Sequence, residues 1–123
     1  MAERDVHQRV EVNDADRMVA AAEVITSGGT VRASLRAEAG HITPGRRASL
    51  VDAVLDLPEV KESERLEAAF PLGDSESLHR LLERCEDVST RPAGGSALLD
   101  ASLPSGTAGE AAQGSAGEAA AAG

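Results

Sequence analysis

Polar and apolar residues alternate in three stretches of this chain. In residues 30–38, Val31, Ala33, Leu35 and Ala37 alternate with Arg32, Ser34, Arg36 and Glu38. In residues 64–72, Leu66, Ala68, Phe70 and Leu72 alternate with Arg65, Glu67, Ala69 and Pro71. In residues 96–103, Ala97, Leu99, Ala101 and Leu103 fall on one side. A period of two sends successive side chains to opposite faces of an extended chain. Each stretch therefore predicts a strand with one buried and one wet face. Residues 9–12 and 88–90 are candidates for short additional strands.

Elsewhere the period lengthens to that of a helix. Asn13 or Asp14 is placed to cap a helix carrying Ala15, Met18, Val19, Ala22 and Ile25 on one side, with Gly28-Gly29 as its stop. Thr43-Pro44 reads as an N-cap and first-turn pair. The helix it opens turns Leu50, Val51, Val54, Leu55 and Leu57 inward and ends at Pro58, where the chain enters the next strand at Val60. Asp74 caps a third helix with Leu78, Leu81, Leu82 and Cys85 on one stripe, and Glu76 to Arg80 reads as an i,i+4 pair on its outer side.

This order predicts an α+β fold: a small two-layer sandwich, a three- to four-stranded sheet with helices on one face. An all-α fold is the competing reading, because Ala, Leu, Glu and Arg are good helix formers. Period is given more weight than propensity. Residues 1–103 form the single expected domain. Residues 104–123 hold two near copies of an Ala/Gly/Glu/Ser octapeptide, whose side chains bury too little to offset ordering entropy, so a disordered tail is expected.

Composition narrows the function. The core must be aliphatic, since Phe70 is the sole aromatic residue, and 123 residues make one domain at most. A net charge of −9 repels phosphate backbones and anionic lipid, which argues against nucleic-acid and membrane partners. One cysteine, no apolar leader and no apolar run of spanning length suit a cytoplasmic protein.

Candidate chemistry is sparse. Arg46 and Arg47 ahead of Ser49, with Leu50 after it, form an acceptor pattern for a basophilic kinase. The same residues are better explained as the opening of a helix, although arginines oppose the dipole there. Cys85 reads as a buried structural thiol. His7, His41 and His79 are scattered without metal-ligand spacing, so no metal site is expected. Residues 91–96 are Gly-rich but lack a phosphate-loop ending and read as a hairpin, so no cofactor is expected. The wet sheet face groups Arg32, Arg36, Arg65 and Glu67 as a solvated or interacting surface.

With no clustered acid, base or nucleophile, the expectation is not an enzyme but a non-enzymatic interaction module. It would have a protein partner or self-associate through sheet edges. A small-ligand regulatory domain is the alternative, and an enzyme with an unrecognised site the third reading.

Overall fold

The computed structural model describes residues 5–38 and 42–104. The expected tail, apart from Pro104, and His41 lie outside the described residues.

Six strands form one mixed sheet. In chain order they are β1 (Val6–Asp14), β2 (Arg17–Ser27), β3 (Thr30–Ala37), β4 (Arg65–Pro71), β5 (Glu86–Ala93) and β6 (Ser96–Ser102). Their spatial order is β1-β2-β3-β4-β6-β5. Every neighbouring pair is antiparallel except β3 and β4, which run parallel. Three helices complete the described residues: α1 (Arg46–Leu55), α2 (Pro58–Lys61) and α3 (Ser75–Arg84). The α1–α2 segment is the crossover that a parallel pair requires.

The core lies on one face of the sheet. Val24, Val31, Leu35, Leu66, Phe70 and Leu99 pack there against Leu50, Val51 and Val54 of α1 and Leu81 of α3. Alternation in β3, β4 and β6 follows the predicted pattern through Val31–Leu35, Leu66–Phe70 and Ala97–Ala101, with inward residues buried and their neighbours exposed or half-buried. Leu72, expected on the inward side, lies beyond β4 and is 50% exposed. Asp74 caps α3 as expected, its carboxylate accepting from the Ser77 amide and hydroxyl at 3.1 and 2.8 Å.

The α+β class fits, and the all-α alternative does not. The three- to four-stranded sheet is corrected to six strands. The expected helix over residues 13–25 is instead the end of β1, a tight turn and most of β2. Asp14 pairs with Arg17 across the turn, and Ala15 and Asp16 both have positive φ, as a type I′ turn demands. Neither residue is the Asn or Gly that usually signals that turn, so nothing local announced it. Three successive alanines then suggest helix by propensity, but pairing on both sides of β2 overrides it. Gly28 and Gly29, read as a helix stop, form the equivalent positive-φ turn between β2 and β3.

Three smaller corrections follow from packing. Pro58 opens α2 rather than leading to a strand, because its missing N–H costs nothing at a first helical position, and Val60 is buried in that turn. The marginal strands at residues 9–12 and 88–90 are full strands at the two sheet edges. Leu82 is 47% exposed and lies off the buried stripe of α3.

Candidate functional site

The parallel pair is the unusual place in this sheet. Pairing of β3 with β4 runs from Thr30↔Arg65 to Ser34↔Ala69 and then stops. Both strands continue: β3 to Ala37, still paired with β2, and β4 to Pro71, still paired with β6. The sheet therefore opens at the carboxyl ends of its two parallel strands. In sheets containing parallel strands, that is where ligands gather, because the following helices begin there.

Both following helices begin at this opening. α1 starts after Gly45, which sits at φ 95 and has no side chain to cap the helix. α1 has no acidic residue in its own first turn. The cap comes from α3 instead: Glu76 Oε2 accepts from the Gly45 amide at 2.9 Å and the Ala48 amide at 2.8 Å. Arg47 reaches Asp74, at the α3 cap, at 3.2 Å. On the other side Asp14, at the end of β1, accepts from the Thr43 hydroxyl at 2.8 Å and lies 3.5 Å from Arg46. The Thr43 hydrogen bond, helped by Arg46, holds the Asp14 carboxyl below its ordinary range. The arginines that looked misplaced at a helix N-terminus are thus neutralised by acids from two other elements. Glu76, expected to pair with Arg80, turns to α1. Arg80 instead binds Asp52 through two bonds of 2.8 and 2.7 Å, and also Glu83.

The second feature is the uncovered sheet face. A cavity of about 310 Å³ lies across its middle, alongside the β3–β4 pair. Ile25, Ala69 and Leu98 line it, with Glu23, Arg32, Glu67, Arg91 and Asp100 among its charged residues. Arg32 pairs with Glu67 at 3.3 Å and Arg36 with Glu23 at 3.8 Å. Glu67 and Asp100 are direct register partners on β4 and β6, so two carboxylates stand side by side on this face. Like charges directly opposite across strands oppose folding. The expected surface residues Arg32, Arg36 and Glu67 do share this face. Arg65 is exposed at the start of β4, away from the cavity lining. The pattern gives no sign of Glu23, because the period there suggests a helix. It puts Asp100 on a wet face without placing it or Arg91 beside Glu67, because the β4–β6 pairing joins residues about 30 positions apart.

The remaining candidates stay apart. Ser49 is exposed in the first turns of α1, its hydroxyl donating to the Gly45 carbonyl at 2.9 Å. Cys85 is 8% exposed, and burial pushes its thiol pKa up. His7 and His79 are exposed on β1 and α3. No group of metal-ligating side chains forms among the described residues. No described helix is long and apolar enough to cross a membrane.

No family model and no curated protein matches the chain. Solved structures do. One is yncA from Salmonella typhimurium, described as a candidate acetyltransferase and determined with its cofactor acetyl-CoA. It aligns at 15% identity with a TM-score of 0.56, over 79% of this chain and 64% of its own. A candidate acetyltransferase from Sphaerobacter thermophilus aligns at 14% identity with a TM-score of 0.52, over 80% of this chain and 66% of its own. This chain thus spans just under two thirds of each neighbour. At such identities the likeness is one of fold, and the fold is the one these acetyltransferase-named proteins share. It overturns the expectation of a non-enzymatic interaction module. That expectation rests on the absence of clustered acids, bases or nucleophiles along the sequence, a local signal that says nothing of the fold.

Proposed function

We propose that the chain is an acyl-transfer domain of the acetyltransferase type, taking an acyl thioester where β3 and β4 part. The observation that carries this reading is the end of their pairing at Ser34 and Ala69 while both strands continue. Residues 35–37 then keep backbone donors and acceptors on the side facing β4. An extended, amide-bearing thioester arm pairs with such an edge as an added strand would. The likeness to a structure determined with acetyl-CoA supports the same reading.

The residues suit the arm better than they suit acetyl-CoA as a whole. A diphosphate beside this opening would look to the α1 N-terminus, where free amides and the helix dipole favour anions. Here Glu76 takes the Gly45 and Ala48 amides, and the Arg46 amide donates to the Thr43 carbonyl at 3.3 Å. The two arginine side chains face Asp14 and Asp74. As built, this end of the opening does not fit a diphosphate.

The acceptor belongs on the uncovered face. Its cavity borders Ser34 and Ala69, the last residues of the parallel pairing. Glu67 and Asp100 there offer carboxylates that hold a cationic acceptor and take up a proton, while Ile25, Ala69 and Leu98 supply its apolar floor. A reducing, cytoplasmic setting suits the single buried thiol.

Amide NMR with acetyl-pantetheine tests the reading. Resonances of residues 34–37 and of Ala69 and Phe70 should shift on titration. Saturating additions that leave those residues unmoved would sink it.

A further inference from the structure

The carboxylate of Glu76 sits where a phosphate would be expected. It reaches α1 from another helix, 31 positions along the chain from Gly45, and accepts from two amides of the first turn. The seat around it is otherwise prepared for an anion. Two arginines stand in the first turn, the N-cap glycine carries no capping side chain, and the helix has no acid of its own there. Without Glu76, the Gly45 and Ala48 amides would lose their partner at a helix end, which is costly. With Glu76 in place, Arg46 and Arg47, with Arg17 also acting on Asp14 from the start of β2, meet three negative side chains, Asp14, Asp74 and Glu76. No excess positive charge is left, and a diphosphate entering the seat meets the Glu76 carboxylate and no free pair of amides.

We infer that Glu76 is a specificity-determining residue: it closes the α1 N-terminus to diphosphate, so this chain selects its thioester by the arm and not by the nucleotide end. The inference rests on the acyl-thioester reading above. Its physical core is narrower, namely that a fixed carboxylate replaces a ligand's phosphate. Three consequences are measurable. The wild-type chain gains nothing from the nucleotide part of acetyl-CoA. Removing the carboxylate frees two amides and makes the local charge one unit more positive. The benefit then appears only for ligands that carry phosphate.

The test compares wild type with Glu76→Ala and Glu76→Gln, each first checked for cooperative melting. Calorimetric titrations use acetyl-CoA, acetyl-pantetheine and inorganic pyrophosphate. In wild type, acetyl-CoA should bind no tighter than acetyl-pantetheine, and pyrophosphate should not bind. In Glu76→Ala, acetyl-CoA and pyrophosphate should each gain about tenfold or more, the size of one or two charge-assisted hydrogen bonds, with acetyl-pantetheine unchanged. If Glu76→Ala does not fold, Glu76→Gln keeps an acceptor oxygen, loses the charge, and should show a smaller gain in the same two ligands.

Wild-type binding of pyrophosphate, or a tenfold preference for acetyl-CoA over acetyl-pantetheine in wild type, would overturn the inference. So would variants whose ligand preferences match wild type. Should neither thioester bind any form, the acyl-transfer reading fails by itself, and the pyrophosphate titrations still decide whether Glu76 closes the seat.

Discussion

Leu35 and Arg36 are adjacent on β3 and face opposite sides of the sheet, so substituting each tests the fold at single-residue resolution. Leu35 is 5% exposed, pairs with Ala22 of β2 and belongs to the core. Truncating a buried leucine costs about 2–5 kcal/mol through lost transfer energy and residual cavity. Leu35→Asp adds the desolvation of a carboxyl group with no partner, several further kcal/mol even if it protonates. The sum, about 5 kcal/mol or more, rivals the whole stability of a domain of about 100 residues. Leu35→Asp should therefore be unfolded, or melt more than about 20 °C lower. Arg36 has a side chain 61% exposed and meets Glu23 at 3.8 Å. Arg36→Glu turns a weak, screened attraction into a repulsion, worth about 1 kcal/mol or less. Its melting temperature should fall by only a few degrees. Circular dichroism melts and urea titrations of the two variants give the contrast directly. If Leu35→Asp melts within a few degrees of Arg36→Glu, the placement of the core on one face of β3 is wrong.

Other expectations follow from single sites. Asp52 accepts from Arg80 and Arg84, and chiefly the Arg80 hydrogen bonds hold its carboxyl below its ordinary range. A depressed folded pKa stabilises above the unfolded value and is lost as pH falls through the folded one. Asp52→Asn should thus cost about 1–2 kcal/mol at neutral pH, and the difference from wild type should shrink as pH falls below the ordinary aspartate range, as urea titrations at descending pH would reveal. Replacing Ala15-Asp16 by Asn-Gly should raise the melting temperature by several degrees, since both positions have positive φ; no change would argue against a type I′ turn there. Cys85 should resist a thiol reagent until the chain unfolds, because it is buried and its thiolate is disfavoured; rapid native-state labelling would contradict that placement.

Elements whose signal is local were legible in the residues alone. Strict alternation located β3, β4 and β6, because one buried and one wet face leave a period of two wherever a strand lies on a one-sided core. Asp74 announced α3 through its cap, and the inward leucines and valines of residues 50–55 announced α1. The composition fixed an aliphatic core, and the period of residues 30–38 placed Arg32 and Arg36 on the wet face. The hairpin of β1 and β2 stayed hidden. Its turn uses Ala15 and Asp16 instead of Asn-Gly, and its alanines favour helix until neighbours pair on both sides. Pairing energy of that kind belongs to residues far apart in sequence, and no local window contains it. The same holds for the site. The β3–β4 opening exists because a crossover sets two strands parallel and lets them part after five paired positions. Glu76 reads as an exposed helical residue until α3 is laid beside α1 and its carboxylate meets the Gly45 and Ala48 amides. Glu67 and Asp100 become neighbours only when β6 inserts between β4 and β5. Such contacts follow from tertiary packing, which brings charges together across roughly 30 residues of chain, and local propensity carries no record of them.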